Sequence, residues 1–369
     1  MKRIDPRKKQ RIITLNRARD RKRRVKALVE KGVIPKCPVD YQSSIALRAP
    51  KILSLKLNYE ETLDFFIKIK NLGNVLAPGG GAHVRKMSFE ISLSDVEHIS
   101  VRSAVIFAAE VDRLRRLTGL KLEYTGRASI SEDVTSILAE LGCFSLMGIE
   151  HPEGSEKQTK SRKTLIKMLS GRRLDGQRFD EFDIALSKVF SSYRTLPPLY
   201  EGMGEALLNV RHHAYMSGVE LKYRCPGNRW WATACLDHTD DELRIFVFDQ
   251  GVGIPATLPY SGYLERTESI LKGVASGHSH DDATLLKGAL EYSRTRTSLS
   301  GRGKGFRNIM SAIDRYKTGR LRIASGKAEV TYCGQNDIVT TRHDNHIGGT
   351  LIEWALPVSV FEEARGAKK

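Results

Sequence analysis

Residues 243–255 read Leu-Arg-Ile-Phe-Val-Phe-Asp-Gln-Gly-Val-Gly-Ile-Pro, an alternating apolar run that ends at Asp249 and is followed by two glycines. The alternation predicts a β-strand, and the acid followed by glycines predicts a tight turn at its end. A second alternating run covers Arg229 to Leu236, and the polar stretch 238–241 joins the two runs. Together they predict a β-hairpin.

Helical patterns flank this hairpin. Pro197-Pro198 predicts a helix start, and the apolar positions from Leu199 to Ala214 follow helical spacing. A second helical pattern follows Gly301-Arg-Gly-Lys-Gly305, and a last strand is predicted from Thr350 to Leu356. On the first helix, polar side chains recur every four residues and form a stripe, at Glu201, Glu205, Asn209 and His213.

In this order the segments resemble the GHKL superfamily of ATP-binding domains, which includes histidine kinases, anti-sigma-factor kinases, DNA gyrase, mismatch-repair ATPases and heat-shock chaperones. The resemblance covers residues 195–358 and implies an α/β sandwich of helices on a mixed, mostly antiparallel sheet that binds Mg-ATP. The similar motifs are Glu205-Ala-Leu-Leu-Asn209-Val-Arg-His-His213 (N box), Asp249-Gln-Gly251-Val-Gly253 (G1), Gly301-Arg-Gly303-Lys304-Gly305 (G2) and Gly349-Thr350 (G3).

The residue types suit that chemistry. Mg²⁺ prefers oxygen ligands and shares them with phosphates, so Asn209 is the expected metal ligand. Glu205, one turn earlier, is the expected catalytic group that orients or deprotonates the nucleophile. A buried Asp249 carboxylate accepts from the exocyclic amine of adenine but would oppose the carbonyl oxygen of guanine, which predicts ATP rather than GTP.

Further residues are expected to contact the nucleotide. Gly251 and Gly253 let the backbone approach the base, while the loop from Gly301 through Gly303 to Gly305 offers N–H groups to phosphates, with Lys304 adding charge. The resemblance adds His213 and Thr350 to this set. The 47 residues between Gly253 and Gly301 predict a lid. No parallel βαβ frame surrounds the glycines, so dinucleotide binding is discarded.

The preceding region has a different pattern. Residues 87–148 are similar to a STAS domain, the fold of anti-sigma-factor antagonists, through a strand to Leu93, a helix from Val101, a strand at 120–124 and a helix ending near Leu141. In place of the usual Asp-Ser-Ser-Gly stands Ser100-Val-Arg-Ser103, so Ser100 and Ser103 are candidate phosphoacceptors. Strands alternating with helices predict an α/β domain with a parallel or mixed sheet.

Four segments follow from these patterns: a basic tail (1–36), a STAS-like α/β domain (37–150), a basic connector with a helix (151–194) and a GHKL ATP-binding domain (195–369). The connector helix is predicted around Leu165, Met168 and Leu169.

The tail accounts for most of the net charge of +17, because residues 1–30 hold 13 basic and three acidic residues. It predicts either a nucleic-acid contact or, since it lacks interleaved aromatics, a solvated extension, which is favoured.

Composition excludes several classes of protein. A 40% hydrophobic content supports packed cores, and the longest apolar stretch, Ala104 to Val111, is far shorter than a bilayer span. Five scattered cysteines without a CxxC pair and the lack of a secretory signal predict a cytoplasmic protein with reduced thiols. Clusters at 278–282 and 343–346 contain His and Asp, but no Cys or second cluster at ligand spacing completes the four ligands of a metal site, so none is expected.

Three functions follow as hypotheses. The first is an ATP-binding regulatory switch that hydrolyses Mg-ATP and whose nucleotide state controls the STAS-like module or a protein partner. The second is a serine protein kinase of the anti-sigma-factor kinase type, and the third is a scaffold that binds ATP without hydrolysis.

A sensor histidine kinase is not expected, because no phosphoacceptor histidine lies between His151 and His212. A gyrase-like clamp is not expected, because few residues follow Leu356. The oligomeric state stays open.

Overall fold

The computed structural model describes residues 45–76, 89–119, 122–123, 131–147, 162–172, 176–190, 196–260, 281–295, 305–334 and 337–361. The basic tail and the part of the connector before residue 162 lie outside these residues. The chain divides into two compact units. The first takes in residues 1–99, 107–134 and 144–152, and the second takes in residues 100–106, 135–143 and 153–369.

The first unit contains short parallel strands and helices. Its parallel sheet has the order β1-β3-β5, and β2 pairs with β4, also in parallel. The elements that begin within or beside this unit are β1 (Ile45–Arg48), β2 (Ile52–Leu53), α1 (Tyr59–Leu76), β3 (Phe89–Ser92), β4 (His98–Ile99), α2 (Val101–Thr118), β5 (Leu122–Glu123), α3 (Glu132–Glu140) and α4 (Cys143–Met147). The predicted helices at 101–117 and 131–141 are confirmed.

The second unit is built on one eight-stranded sheet with the order β12-β11-β10-β13-β9-β8-β6, in which β7 also pairs with β8. Its strands are β6 (Lys163–Leu165), β7 (Leu169–Gly171), β8 (Trp230–Asp237), β9 (Glu242–Asp249), β10 (Arg320–Ser325), β11 (Ala328–Gly334), β12 (Asp337–Arg342) and β13 (Thr350–Pro357). Every described pair in this sheet is antiparallel. The mixed α/β class and the predicted hairpin, now β8–β9, are therefore confirmed.

Helices cover one face of this sheet. They are α5 (Gly176–Val189), α6 (Pro197–Asn209), which continues as a π-helical turn (Val210–Ala214), the short α7 (Ile254–Thr257), α8 (Asp282–Thr295) and α9 (Gly305–Tyr316). Their apolar side chains pack against alternate residues of the strands, including the fully buried Trp230 and Trp354. The indole N–H of Trp354 donates to the carbonyl oxygen of Ile309, 2.8 Å away, which joins the sheet to α9.

The helix predicted around Leu165, Met168 and Leu169 is wrong. These residues belong to β6 and β7 and the link between them, and both strands pair with β8 at the edge of the sheet. A three-position apolar pattern fits a short buried strand as well as a helical turn, and here the available backbone of β8 decides the outcome. The helix of this region lies later, at Gly176–Val189.

Ser100 and Ser103 lie at the start of α2, in the second unit. The Ser100 hydroxyl donates to the Ser103 hydroxyl at 2.9 Å and accepts the Ser103 backbone N–H at 3.2 Å, so it caps the helix. Ser103 is fully buried. Nearby, Arg102 forms an ion pair with Glu329 at 2.5 Å. Both candidate phosphoacceptor hydroxyls are therefore engaged in local structure.

Helices α6 and α9 pack closely through a glycine. A Cβ atom on Gly202 would lie 2.9 Å from the carbonyl oxygen of Asn308, whereas a Cβ on Gly204, on the same helix, would meet nothing within 4 Å. The absence of a side chain at Gly202 thus sets the separation of the two helices.

This contrast predicts opposite effects of two identical substitutions. Gly204→Ala should raise the free energy of unfolding by about 0.5 to 1 kcal/mol, because alanine is the better helix former. Gly202→Ala should lower it by about 1 to 3 kcal/mol, because its methyl group forces the helices apart. Urea unfolding followed by tryptophan fluorescence measures this unit alone, since all three tryptophans belong to it. Equal shifts in the two variants would contradict the packing argument.

Candidate functional site

One end of the large sheet gathers most of the predicted site. The strand register places Gly171, Trp230, Asp249, Thr350 and Ser325 in one row across β7, β8, β9, β13 and β10. Because the strands are antiparallel, this row joins the ends of some strands to the starts of their neighbours. The predicted G1 and G3 motifs therefore lie side by side, as Asp249 and Thr350 are direct partners.

Asp249 is a buried acid at the end of β9. Its side chain accepts the backbone N–H of Gly251 at 2.8 Å, and the backbone N–H of Thr350 also donates to it. Burial nevertheless raises the pKa of Asp249 to about 7, because these two hydrogen bonds only partly replace the water that the carboxylate loses. A buried carboxyl group whose pKa lies close to 7 is typical of a binding or catalytic site.

The turn after Asp249 packs directly on the end of the first site helix. The backbone N–H of Val252 donates to the carbonyl oxygen of Ala214 at 2.8 Å, and a Cβ on Gly251 would collide with that same oxygen. Gly253 has a φ of 88°, a left-handed conformation that favours glycine. The local backbone thus requires glycine at both Gly251 and Gly253. This structural role is separate from their predicted contact with nucleotide.

Three polar residues of the N-box-like segment keep unused hydrogen-bonding capacity. Glu205 and Asn209 are half-buried on α6, and His213 lies in the π-helical turn that follows. Within the described residues, none of the three side chains has a hydrogen-bond partner. The π turn interrupts the predicted four-residue stripe, so His213 does not continue the α-helical row. Such π turns are frequent at functional sites.

The electrostatics of this segment favour neutral side chains. Burial raises the pKa of Glu205, although the nearby His212 opposes that shift. Loss of hydration, with His212 next to it, lowers the pKa of His213. The first shift brings the pKa of Glu205 closer to neutral pH, where a carboxyl group can exchange a proton during a reaction, whereas the second shift favours the uncharged form of His213.

The start of α9 borders the N-box-like segment. A Cβ on Gly305 would lie 2.7 Å from the Oε1 atom of Glu205, so the last residue of the G2-like motif borders the predicted catalytic carboxylate. Gly301, Gly303 and Lys304 lie outside the described residues, as do residues 261–280 and 296–300 of the predicted lid. The described parts of the predicted lid include the short helix α7 after Gly253 and the helix α8.

Side chains that sequence reasoning did not identify hold this end of the sheet together. The Ser325 hydroxyl accepts the Ile254 N–H at 2.8 Å and lies 3.0 Å from the Thr350 hydroxyl. Tyr215 donates to the carbonyl oxygen of Arg229 at 2.6 Å and accepts the backbone N–H of Gln250 at 3.1 Å. Neither residue belongs to a recognisable motif, so only the three-dimensional arrangement shows their role.

In the part of the chain that the structure describes, no group of three or more His, Cys, Asp or Glu side chains comes together as a metal site. Among the same residues, no helix combines the length and apolar character needed to cross a bilayer.

Comparisons with known proteins add no relative. A scan against protein-family models finds no match, and searches of curated proteins and of solved structures find none either. The residues and their geometry are therefore the basis for assigning a function.

The Ser325 hydroxyl, which contacts both the Ile254 N–H and the Thr350 hydroxyl, is expected to contribute measurably to the free energy of unfolding. Ser325→Ala leaves the Ile254 N–H and the Thr350 hydroxyl without a buried partner, so the free energy of unfolding should fall by about 1 to 3 kcal/mol. Ser293→Ala is the matched control. Its buried hydroxyl donates only to the Ala289 carbonyl, four residues earlier in the same helix, so its loss should cost less than about 1 kcal/mol. Tryptophan-monitored urea unfolding compares them, and a Ser293→Ala loss as large as that of Ser325→Ala would contradict the bridge.

Proposed function

We propose that the second unit is a GHKL-type ATP-binding domain that hydrolyses ATP and acts as a regulatory switch. The observation that carries this proposal is the convergence of motif residues at one end of the sheet. Asp249 is paired with Thr350, the turn at Gly251 packs on the end of the N-box-like segment, and Gly305 borders Glu205. These contacts join motif residues that lie up to 145 positions apart in the sequence, from Glu205 to Thr350.

The residues fit the proposed substrate. The Asp249 carboxylate accepts a hydrogen bond from the amine of adenine, and its burial favours a ligand that supplies the donor it lacks. Asn209 has an amide oxygen that no described residue uses. When bound there, Mg²⁺ would neutralise charge on the β- and γ-phosphate oxygens.

Glu205 is the proposed general base. Its carboxylate is half-buried, makes no hydrogen bond with a described residue and lies beside the start of α9, where phosphate oxygens would be stabilised by helix N–H groups. It would accept a proton from the attacking water. The raised pKa of Glu205 brings its basicity closer to that of an effective base at neutral pH.

Phosphoryl transfer to Ser100 or Ser103 is disfavoured, which favours hydrolysis over phosphorylation at these two positions. The two candidate acceptors are engaged in a helix cap, and Ser103 is fully buried. A serine kinase acting on another protein, and a scaffold that retains ATP, are the alternatives. In each case another protein is the proposed partner, with nucleic acid a further proposal for residues 1–30.

One experiment distinguishes these functions. Purified full-length protein is incubated with γ-³²P-ATP and Mg²⁺, alone and with a cell extract heated to inactivate its own kinases. Release of labelled phosphate supports the switch. Label retained on an extract protein favours the kinase, and unaltered bound ATP favours the scaffold.

A first prediction concerns Asp249 and pH. Below its pKa of about 7 the carboxyl group is protonated, so the affinity for ATP should fall about tenfold between about pH 8 and about pH 6. Asp249→Asn should bind ATP about 10- to 100-fold more weakly. Calorimetric titration of both proteins separates this effect from protonation of ATP itself, which is the same in both. An Asp249→Asn variant with wild-type affinity and the same pH profile would exclude the adenine contact.

A second prediction concerns Glu205. Glu205→Gln should reduce ATP turnover by about 10²-fold or more while changing ATP affinity only a few-fold, because a general base acts in the reaction step. Glu201→Gln, one helical turn earlier and exposed, is the control and should leave both unchanged. Steady-state phosphate release and equilibrium binding provide the two readouts. Parallel loss of binding and turnover in a folded Glu205→Gln protein would assign Glu205 to binding instead.

A further inference from the structure

The hydroxyl group of Tyr215 lies between the ends of two neighbouring strands of the large sheet. It donates to the carbonyl oxygen of Arg229 at 2.6 Å and accepts the backbone N–H of Gln250 at 3.1 Å. The register of β8 and β9 ends with Trp230 opposite Asp249. One further pair in that register would place Arg229 opposite Gln250, and the two groups that the hydroxyl binds are the acceptor and the donor of that pair. The Tyr215 hydroxyl therefore takes the place of the next cross-strand hydrogen bond and ends the ladder.

The chain after Asp249 is held by two consecutive residues, Ala214 and Tyr215. The Tyr215 hydroxyl binds the N–H of Gln250, and the carbonyl oxygen of Ala214 accepts the N–H two residues later at 2.8 Å. Between these two contacts, the N–H of Gly251 donates to the Asp249 side chain at 2.8 Å. The Asp249 carboxyl group thus receives one of its backbone donors from a turn that is fixed on both sides.

Tyr215 is held firmly enough to fix this turn. Its ring packs against the hydrophobic core of the second unit. Burial raises the pKa of the Tyr215 phenol well above its usual range, so the hydroxyl keeps its proton at neutral pH and remains a donor. Its acceptor is anchored as well, because the Nε and Nη2 atoms of Arg229 donate to the Ser170 hydroxyl of β7 at 3.1 and 2.8 Å.

The substitution Tyr215→Phe would keep the ring and remove only the bridging oxygen. The Gln250 N–H would then be able to donate directly to the Arg229 carbonyl oxygen, which would extend the ladder by one pair. That movement would draw Gly251 toward β8 and away from the Asp249 side chain. The acid would lose a donor and its present orientation.

We infer that Tyr215 is a positioning residue for the proposed ATP site: its hydroxyl ends the β8–β9 ladder and so fixes the Asp249 carboxyl group in the orientation that meets adenine. This role rests on the proposed function, because adenine is the ligand proposed for Asp249. Tyr215 acts through the acid rather than through a contact of its own with the nucleotide.

The first test measures the affinity of the full-length protein for radiolabelled ATP by equilibrium dialysis at about pH 8. Tyr215→Phe should weaken binding about five- to tenfold, because the acid that contacts adenine is no longer aligned. In an Asp249→Ala background, the same substitution should change the affinity less than about twofold, because the side chain that Tyr215 positions is gone. Additive losses in the double variant would show that Tyr215 does not act through Asp249 and would overturn the inference.

The second test needs no nucleotide. In protein labelled with [4-¹³C]aspartate, NMR follows the titration of the Asp249 carboxyl group, whose resonance is identified by its absence in Asp249→Ala. In Tyr215→Phe, the proton affinity of Asp249 should rise about threefold, because its carboxylate loses the Gly251 donor. An unchanged titration in this variant would overturn the inference.

Tyr332→Phe is the matched control. It also removes a hydroxyl from the second unit, because the fully buried Tyr332 donates to Asp314. Tyr332 lies four residues along the strand register from the row that contains Asp249. The control should therefore leave both the ATP affinity and the Asp249 titration unchanged. Changes equal to those of Tyr215→Phe would assign the effect to a general loss of stability.

These measurements separate the role of Tyr215 from the proposed function. Wild-type protein that binds no ATP would contradict the proposed function alone, because the Asp249 titration still decides whether Tyr215 positions the acid. Circular dichroism checks that each variant is folded. If Tyr215→Phe does not fold, amide exchange of the wild type decides instead: the Gln250 N–H should exchange about 10²-fold or more slowly than in an unfolded peptide, and an unprotected N–H would overturn the inference.

Discussion

The antiparallel register that sets Asp249 opposite Thr350 is the constraint on which the site depends. A shift of one residue would turn every side chain of β9 to the other face of the sheet, exchanging its core residues for its outward ones. The register is held by burial of alternate residues, such as Ile245 and Val247, against the helices. The core that stabilises the second unit therefore also determines where its buried acid lies.

The buried carboxylates at the two ends of the sheet have different kinds of hydrogen-bond partner. At the far end, the buried Glu242 carboxylate accepts two hydrogen bonds from the Arg320 guanidinium, at 2.7 and 2.8 Å, and one from Arg244, at 2.6 Å. Both of its oxygens are therefore paired with a positive charge. At the site end, the described hydrogen-bond donors to the Asp249 side chain are backbone N–H groups, and its pKa rises to about 7. Burial without a countercharge is costly to folding, and a ligand that donates to Asp249 would recover part of that cost.

Sequence patterns predicted the elements that carry strong local signals. The hairpin of β8 and β9, the proline-initiated α6 and the last strand have the predicted bounds within a few residues. Sequence failed where local periodicity was short, as at Leu165, which pairs with β8 rather than forming a helix. It could not identify Tyr215 or Ser325, because their roles come from hydrogen bonds to residues 35 and 71 positions away. Nor could it predict the π turn after Asn209, since helix propensity does not distinguish i+4 from i+5 bonding.

The π turn gives the end of α6 its particular chemistry. Its last residue, Ala214, provides the carbonyl oxygen that accepts Val252, so the turn both ends the helix and holds the loop after Asp249. Glu205 and Asn209 precede it on regular helix, where rigid backbone fixes their separation. Their hydrogen-bonding groups, which no described residue uses, are thus held on a stiff support, and the contact at Ala214 joins that support to the turn after the acid. The hydrogen bond from Val252 and the close packing of Gly251 therefore both link the end of α6 to the turn after Asp249.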